Sequence, residues 1–508
     1  MKVHWKIMWW LVAGVIVGVG FQVLLDGPAT SGIQVADSAD GAGVQVTAVT
    51  GKNAGGKINV GSRIEALTVH RGESSEARID VNAADEYNAA IDAAKNGDVI
   101  WHYIGGAERP FPVNLSLSAN SQRATWIRPF ALVADLFLRL LKMLIVPIIL
   151  TSIITGVVGV GAGRDLKRMG LKTFAYYVCT SLLAIVTALI LVNIIQPGTG
   201  AKLGLTYDSG FQKFEDASFI EVILRMVPEN IFAGLSSNMN MLQVIFFSLL
   251  FGYFILRVKE PHKSNLTGFF EAAFEVMMKM AQFILSLIPY GVFCLLVKVV
   301  GTTGFGVFRP LGVYMLTVVG ALAAHTLITL PVILRVFAKV NPWRWMKAMS
   351  PALLTAFSTS SSSMTLPVSM ETVEKRGGIS NRVTSFVQPL GATINMDGTA
   401  LYECLGVIFL AQYYAATAGY ELTFQVQLIT VIMALMASIG AAGIPSAGLI
   451  MMLTILSALN LPVEGAALLL AVDRPLDMLR TVVNVFSDTC GSAVVGRSEG
   501  EVPLGEET

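Results

Sequence analysis

Long apolar runs divide this chain into candidate membrane-spanning segments. A membrane helix needs about 20 mainly apolar residues, because each residue advances the helix by about 1.5 Å through a hydrocarbon core of about 30 Å. Such runs occupy residues 7–25, 129–162, 172–196, 240–257, 268–300 and 308–338. Beyond residue 340 the apolar pattern continues, but polar and glycine-rich segments interrupt it. The pattern predicts an all-α polytopic membrane protein.

Composition supports this prediction. Hydrophobic residues make up 54% of the 508 residues and charged residues only 14%, whereas soluble domains contain about 25% charged residues. A cytosolic enzyme is therefore excluded, and a net charge of +1 gives no basic surface for nucleic acid. The four cysteines lie in apolar stretches without CxxC spacing, so we interpret them as small apolar residues.

Basic residues in the short loops indicate the orientation, because positively charged loops favour the cytoplasm. Lys2 and Lys6 precede the first run, and basic clusters follow the second, fourth and sixth runs. We therefore expect a multi-pass protein of the cell (inner) membrane with a cytoplasmic N-terminus. The first run has about 19 residues, longer than the apolar core of a signal peptide, which favours a retained helix over a cleaved signal.

Residues 27–122 differ from the rest of the chain, since acids outnumber bases there and no run could span a membrane. Alternation and helical spacing predict a helix at 83–95, capped by Asn82, and strands at 44–49, 63–69, 99–104 and 112–117. This order resembles a PDZ domain, so we expect a small α+β PDZ-like extracytoplasmic insertion. The carboxylate-binding loop would be Gly41, Ala42, Gly43 and Val44. The alternative is a PDZ-shaped spacer without a ligand.

Two later segments, 343–371 and 422–459, are each long enough for two half-helices. The first is interrupted by six consecutive hydroxyl residues at 358–363, and the second by a glycine-rich break at 440–448. Half-helices of about 14 residues reach only about 20 Å, too short to cross a bilayer. We therefore predict re-entrant hairpins, with small-residue helix packing as the alternative.

Each hairpin precedes a span with polar interruptions, 381–416 and 463–496. Such paired segments are typical of a transporter site between inverted repeats. In the second span, Asp473, Asp477, Arg480, Asn484 and Asp488 lie three or four residues apart and share one helix face. Charged groups at this depth cost about 2.5–3.5 kcal/mol each, so they indicate function. We expect seven charged side chains at membrane depth: Asp473, Asp477, Arg480 and Asp488 of this face, together with Asp397, Glu403 and Arg474.

The chemistry of this face indicates a binding site. Asp397 and Asp488 offer the oxygen ligands that a hard cation requires, and we expect sodium rather than zinc on the ground that no His or Cys is near. The Arg480 guanidinium matches a carboxylate. Asp477 lies one turn away and can hold an ammonium group. A ligand with both groups is an acidic amino acid.

Four ordered motifs carry a closer resemblance: SSSSMTLP at 360–367, NMDGT at 395–399, GAAGIP at 440–445 and DMLRTVVNV at 477–485. With them the chain resembles the dicarboxylate/amino acid:cation symporters, the family of the excitatory amino acid transporters. The resemblance covers about 1–26 and 123–497. It implies eight transmembrane helices with two re-entrant hairpins, a homotrimer and elevator-type alternating access.

The resemblance also implies a division of the chain and a set of site residues. The parts would be a first helix at 1–26, the insertion at 27–122, helices 2–6 at 123–340, a transport core at 341–497 and a cytoplasmic tail at 498–508. The amino acid would be bound by Ser360, Ser361, Ser362, Thr399, Ile444, Gly448, Asp477, Arg480, Thr481 and Asn484. One sodium site would use Gly391, Asn395, Asn484 and Asp488, a second Thr393, Ser438, Ile439 and Ala441, and a third Asn395, Asp397, Tyr177, Thr180 and Ser181.

Two departures from the family pattern matter. Family members carry an arginine either at the position of Ser360 or just after the aspartate that matches Asp477, and this chain has Met478 there. Arg474 is the candidate substitute. Glu403 matches a glutamate of proton-coupled members, which implies that a proton moves with the substrate, and a structural carboxyl is the alternative. Potassium countertransport is left open.

The leading hypothesis is a sodium-coupled, proton-assisted symporter for aspartate or glutamate, which is not an enzyme and needs no organic cofactor. A C4-dicarboxylate symporter is the alternative among transporters, although Asp477 would then face no amine. A different class is a periplasmic peptide sensor that uses the PDZ-like domain. The buried charges argue against this sensor, because a membrane anchor does not require them.

Overall fold

The computed structural model describes the chain outside residues 1–2, 39–42, 50–57, 72–73, 76–77, 95–98, 106–110, 119, 160–163, 202, 204–226, 237–240, 419, 441–446 and 505–508. The described part is mostly helical, as the apolar pattern predicts. A small α+β domain follows the first helix, α1 (Val3–Leu24). Its helix is α2 (Ala84–Ala93). Its strands are β1 (Ala29–Thr30), β2 (Ile33–Asp37), β3 (Val44–Val49), β4 (Arg63–Arg71), β5 (Ser74–Ser75), β6 (Ile79–Asp80), β7 (Val99–Ile104), β8 (Phe111–Asn114) and β9 (Ser116–Leu117).

The main sheet of this domain is antiparallel, with strand order β2-β3-β4-β7-β8 and with β5 and β6 paired to β4. Alternate residues of its strands, such as Val44, Val46 and Ile64, point into a closed core against Tyr87 and Ile91 of α2. The domain thus has its own hydrophobic core.

The domain refines several predictions. The strands expected at 44–49 and 99–104 are present with those bounds, the one at 63–69 extends to Arg71, and the one at 112–117 is replaced by β8 and β9. The predicted Asn82 cap is wrong. Ala83 occupies the N-cap without a side-chain bond, and the Asn82 amide instead donates to the Glu86 carboxylate at 2.8 Å.

The predicted carboxylate-binding loop falls at the turn between β2 and β3. Gly41 and Ala42 lie outside the described residues, Gly43 has φ +80° and Val44 is fully buried. The PDZ likeness of the domain stays a prediction.

The domain is tied firmly to two membrane helices. β1 pairs with β9, and α3 (Gln122–Gly159) begins shortly after β9. The guanidinium of Arg123 donates to the carbonyl of Gln22 at 3.0 Å and to that of Leu25 at 2.8 and 3.1 Å. These bonds join the end of α1 to the start of α3.

The remaining helices form the membrane body. They are α4 (Arg164–Ile195), α5 (Ile231–Leu235), α6 (Met241–Ile255), α7 (His262–Ser286), α8 (Ile288–Thr303), α9 (Phe308–Ala324), α10 (Leu330–Ile333), α11 (Pro342–Ala348), α12 (Ser350–Thr359), α13 (Ser362–Lys375), α14 (Asn381–Ile394), α15 (Asp397–Ala418), α16 (Phe424–Gly440), α17 (Ala447–Ala458) and α18 (Glu464–Ser498).

Four helical stretches in the described chain are long and apolar enough to cross a membrane: Gln122–Val158, Arg168–Ile195, Phe308–Ala338 and Asn381–Thr417. The apolar run at 268–300 is not one straight span. It comprises α7 and α8, which meet at a bend of 50°, and Pro289 lies in the first turn of α8. The eight spans expected from the family stay a prediction.

The last helix, α18, is the centre of the body. It packs against α12, α13, α14, α15 and α17. After it ends, the Glu499 carboxylate accepts from Arg168 at 2.5 Å and from Lys172 at 2.7 Å, and the Leu504 amide donates to the Gly377 carbonyl at 2.8 Å. The chain end therefore joins α18 to α4 and to the loop after α13.

Candidate substrate and cation site

Helix breaks lie beside the charged face of α18. Helix α12 ends at Ser360, whose φ of +50° reverses the chain, and Ser361 caps α13 by accepting from the Met364 amide at 3.2 Å. Asn395 separates α14 from α15 with non-helical φ and ψ of −95° and 85°. The break between α16 and α17 lies at 441–446, outside the described residues, together with Ile444 and Ala441. The two predicted interruptions near 360 and 395 are thus present, and they place helix ends in the interior beside α18.

Four charges form a connected quartet on α18. Arg480 Nη2 donates to Asp473 Oδ1 at 3.0 Å and to Asp477 Oδ1 at 2.8 Å. Arg474 Nη1 donates to Asp477 Oδ2 at 3.1 Å. Two carboxylates and two guanidinium groups therefore balance, which a low-dielectric interior requires. The structure also answers where Arg474 lies, since it reaches the carboxylate of Asp477 directly.

Arg480 is buried and has guanidinium N–H donors that are not used within the described part of the chain. Its side chain is only 1% exposed, its guanidinium lies 3.8 Å from the centre of the Tyr402 ring, and Nε and Nη1 have no partner among the described residues. A side chain at Gly448 would place a Cβ 2.9 Å from Nη1, so α17 closes over the guanidinium. Buried, unpaired guanidinium donors are suited to a ligand carboxylate.

The predicted hydroxyl and amide groups lie close to this arginine cluster. Asn484 Oδ1 accepts from the Gly398 amide at 2.8 Å, and its Nδ2 donates to Thr399 Oγ1 at 3.2 Å. Thr481 donates to the Asp477 carbonyl at 2.9 Å. The helix break at 360–362 is buried and packs on α18 through its flanking helices. The chain thus gathers most of the predicted substrate residues around α18.

Asp397 is the centre of a second cluster. Ser181 Oγ donates to its Oδ1 at 2.6 Å, Ser487 Oγ donates to its Oδ2 at 2.6 Å, and His325 Nε2 lies 3.2 Å from Oδ2. Thr180 bonds to the neighbouring Asn395 at 3.3 Å. These contacts bring together four of the five residues expected at the third sodium site, while the Tyr177 hydroxyl donates to the Val387 carbonyl at 2.7 Å.

Asp488 lies directly beside this cluster. Asn395 Nδ2 donates to its Oδ1 at 2.8 Å and to Ser487 Oγ at 3.0 Å. Gly391 is packed so closely that an added Cβ would lie 2.7 Å from Asp488 Cγ and 2.7 Å from Tyr177 Oη. Asp397 and Asp488 are fully or almost fully buried and lack a lysine or arginine partner in the described chain. Hard oxygen ligands with surplus negative charge suit a small cation.

The second predicted sodium site is described only in part. Thr393 donates to the Leu390 carbonyl at 2.9 Å and is exposed, and Ser438 is buried near the end of α16. Helices α14 and α16 touch, which brings the two segments together. Ile439 lies on α16, but Ala441 lies outside the described residues, so this site stays a prediction.

Glu403 is completely buried on α15, and neither carboxyl oxygen has a partner within the described part of the chain. A carboxyl without partners in an apolar interior favours its neutral form. The geometry is therefore compatible with a proton held at this position.

Several site residues were missed by sequence reasoning. His325 begins a π-helical segment (His325–Thr329), and π-segments often mark functional sites. The prediction that no histidine lies near the carboxylates is wrong, because helix packing places His325 Nε2 3.2 Å from Asp397 Oδ2. A lone histidine inside an apolar run was the available signal. Ser487 and Tyr402 carry no comparable signal, because their contacts with Asp397 and Arg480 arise only from helix packing.

Together the fold and these buried charged clusters are consistent with a helical membrane transporter. Residues 113–498 match the sodium:dicarboxylate symporter family, so the chain belongs to this family. It is 36% identical to excitatory amino acid transporter 3 of Homo sapiens over 418 residues, which is 72% of this chain and 78% of that protein. It is 33% identical to the proton/sodium-glutamate symport protein of Geobacillus stearothermophilus over 408 residues, 79% of this chain and 94% of the relative. The family is one of transporters, not enzymes.

Proposed function

We propose that this protein is a sodium-coupled symporter that imports acidic amino acids. The single observation that carries the proposal is the buried Arg480 guanidinium, whose Nε and Nη1 have no partner among the described residues and which lies on the same helix as the cation-attracting Asp488. The relatives named as excitatory amino acid transporters and as a proton/sodium-glutamate symport protein support the same substrate class and coupling ion.

The charges of the two clusters couple the binding of sodium to the binding of the amino acid. The quartet around Arg480 is balanced in charge, whereas Asp397 and Asp488 add buried negative charge. In the described part of the chain, only His325 lies within ion-pair distance of either carboxylate. Sodium bound by these carboxylates, by Asn395 and by the hydroxyls of Thr180 and Ser181 compensates that charge. An acidic amino acid then adds one net negative charge near Arg480, and the sodium ions offset it.

In the substrate site, Arg480 Nε and Nη1 bind the side-chain carboxylate of the amino acid. Asp477 receives the ammonium group in exchange for one of its present partners, Arg474, which at 15% exposed is less buried than Arg480 at 1%. Ser360–Ser362 and Thr399 supply hydroxyls and amides at helix ends for the main-chain carboxylate. Ile444 and Gly448 belong to the hairpin that closes over the bound substrate.

Protonation of Glu403 provides the additional coupled proton, because this carboxyl is buried and has no hydrogen-bond partner within the described residues. The relative from Geobacillus stearothermophilus is named for both proton and sodium. We further propose a homotrimer in the inner membrane with a cytoplasmic N-terminus and eight spans. The helix pairs on either side of Ser360 and of residues 441–446 act as re-entrant hairpins, and a transport core at 341–497 moves as an elevator.

One observation favours a second substrate class. Both oxygens of Asp477 are bonded to arginines, and Asp473 is bonded to Arg480. Each aspartate of the quartet therefore already has a cationic partner in place of an amine. A C4-dicarboxylate needs only cationic partners, and the matched family is named for dicarboxylates. Uptake of labelled aspartate, glutamate and succinate into proteoliposomes, with and without a sodium gradient, separates the two. Succinate uptake without aspartate uptake would refute the amino acid assignment.

Arg480→Cys tests the role of the arginine. Loss of a buried charge pair costs about 2–5 kcal/mol, so we expect aspartate affinity to fall at least about tenfold, while neutral amino acids still bind. Arg382→Cys is the matched control, because Arg382 is 70% exposed. Unchanged aspartate affinity in Arg480→Cys would contradict the assignment.

A further inference from the structure

The two arginines of the quartet on α18 differ in how firmly they are held. Arg480 bonds to Asp473 and to Asp477 and lies over the Tyr402 ring, and its side chain is 1% exposed. Arg474 bonds to Asp477 alone among the aspartates of the quartet, and its side chain is 15% exposed. Arg474 is therefore the less enclosed of the two cations.

The two arginines bond to different oxygens of Asp477. Arg474 Nη1 donates to Oδ2 at 3.1 Å, whereas Arg480 Nη2 donates to Oδ1 at 2.8 Å. Departure of Arg474 therefore opens Oδ2 and leaves the bond from Arg480 in place. An ammonium group carries the same charge and has N–H donors, so it can replace the Arg474 guanidinium at this oxygen.

The backbone beside Arg474 lacks one helical hydrogen bond. Pro475 lies inside α18 and has no amide hydrogen, so it cannot donate to the Ala471 carbonyl as a residue of a regular helix does. A proline inside a helix is also the commonest place for the helix to bend. The turn that carries Arg474 can therefore change shape at a lower cost than the rest of α18.

The charges of the quartet indicate what Arg474 does there. Asp473, Asp477 and Arg480 together carry one net negative charge, and Arg474 cancels it. A bound amino acid supplies a positive charge at the same carboxylate through its ammonium group. After release of the amino acid, the protein has to return with the substrate site empty. A further uncompensated carboxylate in the low-dielectric interior would make this return costly.

We propose that Arg474 is an internal counter-cation that takes the place of the substrate's ammonium group at Asp477 Oδ2 whenever the substrate site is empty. This inference rests on the proposed function, since it assumes that an acidic amino acid binds at Arg480 and Asp477. Arg474 then has two effects. It competes with the ammonium group for Asp477, and it keeps the empty substrate site neutral during the return of the transport core.

Arg474→Gln tests the competition, because glutamine is polar but has no charge. In this variant aspartate meets an Asp477 oxygen that no Arg474 guanidinium holds, whereas succinate has no ammonium group and meets an uncompensated carboxylate. We therefore expect the ratio of the succinate to the aspartate dissociation constant to rise at least about tenfold. Displacement of labelled aspartate by each compound from the purified protein at saturating sodium measures this ratio.

Net uptake and exchange test the effect on the empty protein. Net sodium-driven aspartate uptake into proteoliposomes requires the return of the empty protein, whereas exchange of internal for external aspartate does not. We expect Arg474→Gln to lower net uptake about tenfold, while exchange stays within about twofold of wild type. Arg474→Lys keeps a positive charge at this position and should restore both net uptake and the ratio of dissociation constants towards wild type.

Arg382→Gln is the matched control, since it makes the same substitution at a side chain that is 70% exposed and outside the quartet. An unchanged ratio of dissociation constants in Arg474→Gln would overturn the counter-cation. Equal losses of net uptake and exchange would overturn it as well and would indicate damage to the fold. The wild-type protein separates this inference from the proposed function. Absence of sodium-driven aspartate uptake in wild type refutes the proposed function, whereas such uptake with a normal Arg474→Gln variant refutes only the counter-cation.

Discussion

At the scale of single residues, Gly391 allows the cation site to form. A side chain at this position would overlap with the Asp488 carboxylate and would also lie 2.7 Å from Tyr177 Oη. Overpacking of this kind costs about 1–3 kcal/mol, so we expect Gly391→Ala to weaken sodium affinity by about tenfold or more. Sodium titration of aspartate binding measures the effect.

Gly320→Ala is the control for this prediction, because it also changes a helical glycine but meets no atom within 4 Å. Equal sodium affinities of the Gly391 and Gly320 variants would contradict the role of Gly391.

Residue-scale prediction worked where a polar group interrupts an apolar span. Asn395, Asp397 and Asp488 stand out in this way, and the structure brings them into one cluster. Prediction worked less well for the question of which charged side chains pair with each other. The sequence suggests Asp477 as the site of an ammonium group, but the folded helix surrounds it with Arg474 and Arg480. Which of several nearby charges pair depends on rotamers and packing that spacing alone does not define.

At the scale of elements, periodicity predicts helices and strands better than their bends. The strand at 44–49 alternates clearly and is present with those bounds. The run at 268–300 was expected as one span, although Pro289 cannot donate a backbone hydrogen bond and therefore marks the start of α8. Strand β2 was missed because it is only five residues long and most of its side chains are exposed.

The inserted domain contains an element whose stability depends on pH. His102 on β7 is fully buried, its Nδ1 lies 3.1 Å from the Ile100 carbonyl and its Nε2 lies 3.1 Å from the Tyr87 hydroxyl. Burial lowers the pKa of His102 from 6.5 to about 4, although backbone hydrogen bonding opposes this shift. The unfolded domain therefore takes up a proton before the folded domain does.

The sign follows from this difference. The contribution of the neutral, buried His102 to the free energy of unfolding of the domain is complete above the ordinary histidine pKa. This contribution is lost as the pH falls from about 6.5 to about 4, by about 3 kcal/mol in total. The hydrogen-exchange protection factors of the β7 amides in the full-length protein, corrected for the intrinsic pH dependence of exchange, should fall over this range. His102→Gln should abolish that pH dependence. A variant that keeps the wild-type pH profile would show that another group is responsible.

At the scale of the whole molecule, sequence reasoning separated the inserted domain from the membrane body but did not place one against the other. The family match begins at residue 113, within β8 of the inserted domain and before the predicted boundary at 122. The structure adds that β8 contacts α15, the helix that begins at Asp397. Such a contact joins surfaces far apart in sequence, and neither surface has a pattern that identifies the other.

This contact predicts what removal of the domain does. The domain is tied to α1 and α3 by Arg123 and the β1–β9 pair, and it also touches α15. The proposed movement of α15 relative to α3 during transport would break the contact between β8 and α15, and this adds to the barrier. Deletion of 27–122 behind a short linker should therefore keep sodium-dependent uptake and raise the turnover about two- to fivefold, with little change in KM. Initial rates in proteoliposomes at matched protein content measure this, and thermal unfolding of the variant confirms that it is folded. Unchanged turnover of a folded variant would mean that the β8 contact does not restrain the transport core.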